Sequence, residues 1–148
     1  MPVAPRLAFL VAAAGLLAGG CAASTPSQSI VMVSGRDDHG LLERPAIALQ
    51  RSPTDQTVVG SAQDGTFVRV VREEGSWLLI RTFVSPIGEG WVNDHDLRAV
   101  AVLDGRTRVR FRDARLRDDG VVEVLIVPVD GGAEVWVSGR RLREVGAG

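Results

Sequence analysis

The sequence predicts an all-β fold, a small barrel with a second, shorter β unit packed on it. Three observations predict this. β-Branched residues cluster in short runs between Gly, Asp and Ser, with Val and Gly abundant and Tyr absent. The runs recur about every ten residues, the spacing of a small barrel or sandwich. The last third of the chain also resembles what precedes it at a separation of about 45 residues, a period to be considered before any other pattern.

Taken in order, Ile30-Val31-Met32-Val33 is a short apolar strand, and Ser34 to Gly40 is a polar, turn-rich loop. Strands then follow from Ala46 to Gln50, at Val58-Val59-Gly60, from Thr66 to Arg72, from Trp77 to Phe83 and from Glu89 to Val92. Asp64-Gly65, Glu74-Gly75 and Pro86-Ile87-Gly88 separate them with residue types that tolerate tight turns. Gly75–Val100 aligns with Gly120–Val145 without a gap, placing Trp91-Val92 on Trp136-Val137, Leu97-Arg98 on Leu142-Arg143 and Val122 where Trp77 stands. This predicts a truncated second copy that lacks a counterpart of the first loop. A unit so small buries little core alone and is expected to pack on the first. Extra strands of a single sheet are the alternative.

The residues Val59-Gly60, Gly65-Thr66, Val68-Arg69-Val70, Gly75-Ser76-Trp77, Ile80 and Gly90-Trp91-Val92, with Leu97 after them, follow the order of the bacterial SH3-like domain, which residues 41–100 resemble. The resemblance implies a five- or six-stranded, strongly bent barrel, with Val92 in its interior. It also implies that Trp77 faces a shallow groove able to hold a peptide or glycan. The competing role for Trp77, Trp91 and Trp136 is to cover the open ends of a thin core. Residues 101–148 form the expected second SH3-like unit.

The N-terminus carries a different signal. One positive charge at Arg6 precedes an apolar run from Leu7 to Ala18 and then Gly19-Gly20-Cys21, the order of a secretory signal. The run falls short of the roughly 20 residues that span a bilayer. Leu17-Ala18-Gly19-Gly20-Cys21 resembles the lipobox of bacterial lipoproteins, departing from it in having Ala18 three residues before the cysteine. The resemblance implies a cleaved signal over 1–20 and acylation of Cys21 with chains such as palmitate. Residues 21–40 would then hold the lipidated cysteine and a tether, beginning with the small and polar run Ala22 to Ser29. The expected location is the outer side of the cell membrane, held by the lipid.

Composition excludes other classes. The 17 basic and 18 acidic residues nearly cancel, so nucleic acid is not an expected partner. The only cysteine is Cys21, which leaves neither a disulfide nor a Cys-based metal cage. Lipidation would also block its thiol as a nucleophile. His39 beside Asp37-Asp38, and His95 between Asp94 and Asp96, have the composition of metal or acid–base clusters but fit solvated loops better. The expectation is a non-catalytic binding module without cofactor, engaging peptidoglycan or an envelope protein. Candidate contacts are Trp77, Trp91 and the row Arg106, Arg108, Arg110 and Arg112. On a strand these arginines alternate with Thr107, Val109, Phe111 and Asp113 and would project from one face. The row could equally be the polar face of a half-buried strand, neutralised by Asp113, Asp118 and Asp119.

Overall fold

The computed structural model describes residues 29–84 and 87–146. The expected signal, Cys21 and the tether as far as Gln28 lie outside the described residues, as do Ser85 and Pro86 of one expected turn. The fold is all-β. Strands β1 (Ile30–Val33), β2 (Ala46–Ser52), β3 (Asp55–Gln63), β4 (Phe67–Glu74), β5 (Trp77–Thr82), β6 (Glu89–Asn93) and β7 (Leu97–Arg98) form one sheet in the order β3-β2-β6-β5-β4-β1-β7. This sheet curls into an SH3-like half-barrel. Strands β8 (Val100–Leu103), β9 (Thr107–Leu116), β10 (Val122–Pro128), β11 (Val135–Ser138) and β12 (Leu142–Glu144) form a second sheet, ordered β11-β10-β9-β8-β12.

The second order repeats the segment β6-β5-β4-β1-β7 of the first, strand for strand. Leu78 opposes Val92 as Val124 opposes Val137, and Val33 opposes Leu97 as Leu103 opposes Leu142. A β-bulge falls at the same place in both units. Val71 is the extra residue between Val70 and Arg72, and Arg112 the extra residue between Phe111 and Asp113. The turns that close the units match as well. Asn93 caps a 3-10 turn at Asp94–Asp96 by accepting the His95 N–H, and Ser138 caps Gly139–Arg141 by accepting the Arg140 N–H. Arg98 then donates to the carbonyls of His95 and Leu97, as Arg143 does to those of Arg140 and Leu142.

The gapless alignment needs one correction. It holds for β6 on β11, but β5 and β10 are related by one residue more, so Glu123 and not Val122 stands where Trp77 does. The hairpin loop of the second unit is one residue shorter, which shifts the strand before it.

Two cores result. Inside the first barrel, Val31, Val33, Val68, Val70, Ile80, Val92 and Leu97 meet Ile47, Leu49 and Ala62 from the β2–β3 hairpin. The second unit has no such hairpin. Ala101, Val109, Ala114, Val124, Ile126, Val137 and Leu142 are covered instead by Ile30, Met32 and Phe67 of the first unit, with Phe67 edge-on to Phe111 at 5.1 Å. Because strand neighbours point to opposite sides, β1 sends Val31 and Val33 into one core and Ile30 and Met32 into the other. It lies before the segment 41–100 expected to form the first barrel, yet it pairs with both β4 and β7.

Two glycines permit close crossings. A Cβ on Gly90 would lie 2.4 Å from that of Leu49, so only glycine lets β2 cross β6 there. A Cβ on Gly139 would lie 3.0 Å from the Phe67 ring and 3.1 Å from the Val122 carbonyl, where the two units meet. A polar cluster also joins the units. The fully buried Ser34 hydroxyl donates to Glu144 at 2.7 Å, and the Arg98 Nε reaches the same carboxylate at 2.9 Å.

Candidate functional site

The outer surface of the first barrel gathers the expected aromatic contacts. Residues directly opposed on neighbouring strands share a face, so Glu74, Trp77 and Asn93 form one row and Arg72, Leu79, Trp91 and Gln50 the next. Trp77 is half-buried and Leu79 beside its row is half-buried too. Gly75, with φ of +60°, makes the tight turn that brings Glu74 opposite Trp77.

Trp91 shares the face but not the availability. It points away from Val92 as alternation requires, yet only 6% of it is exposed. The Arg72 guanidinium lies over its ring, 5.4 Å from the centroid. Its expected role as a ligand contact is therefore corrected to a part of the barrel wall that supports the face. Trp136 holds the equivalent place in the second unit, with Arg115 stacked at 4.0 Å.

The arginine row is also corrected. Arg106 stands in the turn before β9, and Arg112 is the bulged residue, where alternation restarts. Arg108 and Arg110 do share the outer face, with Val109 fully buried between them. Arg143 joins them through Val102, which opposes both Arg143 and Arg108. Two of the three expected neutralising acids are engaged elsewhere: Asp113 pairs with Arg69 at 3.4 Å and Asp119 with Arg117 at 2.9 Å. Arg112 faces Glu134 at 3.9 Å.

Sequence reasoning missed the cleft between the units, a space of about 380 Å³ floored by Met32 and Phe67 and walled by Arg36, Asp64, Arg140 and Glu144. Its inner charges are matched, with the Arg36 Nε 3.4 Å from Asp64 and 3.7 Å from Glu144. We assign these groups to joining the units. The available signal was the repeat, which places Arg140 at the position of His95.

His39 and His95 line one shallow depression together with Asp37, Asp38 and Glu144. Among the described residues, no group of three or more His, Cys, Asp or Glu side chains is placed to hold a metal ion. The Asp37 carboxylate is held below its usual pKa by the Leu41 N–H, and that of Asp104 by the Arg141 guanidinium. Both are loop ties, Asp37 half-buried and Asp104 exposed. No described helix is long and apolar enough to cross a membrane. No protein-family model, curated protein or solved structure is significantly similar to the chain.

Proposed function

We propose that the protein is a lipid-anchored, non-catalytic binding module of the bacterial cell envelope. It is held at the outer side of the membrane by Cys21 and presents the first barrel to peptidoglycan or an envelope peptide. The observation that carries this reading is the shared outer face of Trp77, Leu79 and Trp91, bordered by Arg72 and Glu74. A half-buried Trp gives a large contact area at little conformational cost, and its neighbours supply both charges for orienting a polar ligand.

An assembly role through protein contacts is the alternative. It is favoured by β3, the outermost strand of its sheet, which exposes Val58 and Val59. Such an edge is open to pairing with another chain.

Retention on purified peptidoglycan sacculi separates the two. Protein carrying Cys21→Ser, so that no lipid contributes, should be retained, and adding Trp77→Ala should abolish retention. Absence of retention at any salt concentration would favour the protein partner.

A further inference from the structure

The arginines divide unevenly between the two units. Each described arginine up to Arg98 lies in an ion pair: Arg36, Arg44, Arg51, Arg69, Arg72, Arg81 and Arg98. Among the described residues, those without an ion pair are Arg106, Arg108, Arg110, Arg140 and Arg143, all in the second unit. The chain as a whole carries a formal charge of only −1, so this is a local concentration rather than a general basicity.

Sheet geometry places most of these groups together. Arg143, Val102 and Arg108 form one row across the outer face of β12, β8 and β9. Val100, Arg110 and Val127 form the row beside it. The valines are half-buried and the arginines exposed, with Arg106 in the adjoining turn. The result is a shallow sheet surface on which guanidinium groups stand between aliphatic side chains. A guanidinium offers phosphate oxygens a planar fork of donors. Side chains of this length can also lay their methylenes against an apolar boundary while the charge stays at the polar level.

We infer that the outer face of the second unit rests on an anionic phospholipid surface, the Arg108, Arg110 and Arg143 guanidinium groups binding headgroup phosphates. Charge complementarity and the length of chain before β1 both favour this occupant. Cys21 and Ile30 are nine positions apart, so the intervening chain reaches at most about 30 Å. The β1 strand packs on the inner side of the second sheet, and packed sheets lie about 10 Å apart. The chain is therefore long enough to let the outer face turn toward the bilayer. This inference rests on the proposed lipid anchor only for delivery to the membrane.

The test uses the full chain with Cys21→Ser, sedimented with phosphatidylcholine vesicles that contain or lack phosphatidylglycerol. Any contribution of the apolar N-terminal run is common to both kinds of vesicle, so the readout is the difference between them. Each arginine near such a surface contributes about 1 kcal/mol. The variant Arg108→Gln/Arg110→Gln/Arg143→Gln should then lose on the order of a hundredfold in its preference for anionic vesicles. Rising salt should remove the same preference from the parent chain. A control with Arg51→Gln/Arg81→Gln, in the first unit, should keep it. Equal binding to both vesicles, or equal loss in the control, would overturn the inference. Acyl labelling of the unmutated chain reports on the anchor separately: labelling without lipid preference keeps the anchor and removes this surface, and the reverse result does the opposite.

Discussion

Val92 and Arg108 show how differently two strand residues contribute. Val92 is 1% exposed in the first core, opposite Leu78 on the neighbouring strand. Cutting it to Ala leaves a cavity that the surrounding strands cannot collapse to fill, at a cost of about 2 to 4 kcal/mol. Arg108 is exposed and has no ion pair among the described residues, so its loss is close to neutral for stability. Val92→Ala should lower the melting temperature by roughly 10 °C and Arg108→Ala by no more than about 1 °C, measured by circular dichroism. A larger effect at Arg108 would contradict the strand register. The polar residues at the junction follow the rule for buried groups: Ser34 and Glu144 are tolerated inside because the hydroxyl and Arg98 satisfy the carboxylate.

At the scale of elements, β1 is the strand that unites the molecule, since its two sides belong to two cores. A fragment of residues 41–100 lacks Val31 and Val33 and should stay disordered by circular dichroism. Extending it to residues 29–100 restores β1 but leaves Ile30, Met32 and Phe67 bare. Each of these side chains contributes about 1.5 to 3 kcal/mol when buried. Their sum is comparable to the entire stability of a small domain. Residues 29–146 should therefore give a cooperative thermal transition, and residues 29–100 a weak transition with binding of a hydrophobic dye. A cooperative fold from 41–100 alone would show that β1 is dispensable. The missing hairpin has a local cause as well: Val135 occupies the position of Gly90, so no strand can cross β11 as closely as β2 crosses β6.

For the whole molecule, the duplicated strand order places an aromatic outer face on one unit and uncompensated arginines on the other. Together the two proposals divide the labour between the copies: the first is proposed to present Trp77 to a ligand, and the second to lie toward the lipid. Delivery of both surfaces to the membrane rests on the proposed anchor. Replacing Cys21 by Ser should abolish metabolic acyl labelling and move the protein out of the membrane fraction, because it removes the only atom available for thioether attachment. Unlabelled protein that remains in membranes through an intact N-terminal run would show that an uncleaved helix is the anchor instead.

Periodicity and turn chemistry by themselves determined that the described chain is all-β, where the strands from β1 to β6 lie and that its last third repeats what comes before. Those properties are local: alternation at Val92 and Trp91, and glycines such as Gly75 at positive φ, act within a few residues of chain. The tertiary structure alone decided what fills the second barrel, that β1 serves two cores, and which arginines go unpaired. It also decided that Trp91 is covered and that Arg112 leaves the arginine row. Each of these depends on partners from distant parts of the chain, such as Phe67 with Phe111, Ser34 with Glu144 and Arg69 with Asp113. A pattern of apolar and polar residues states that a side chain is to be buried, but only the packed chain settles against what.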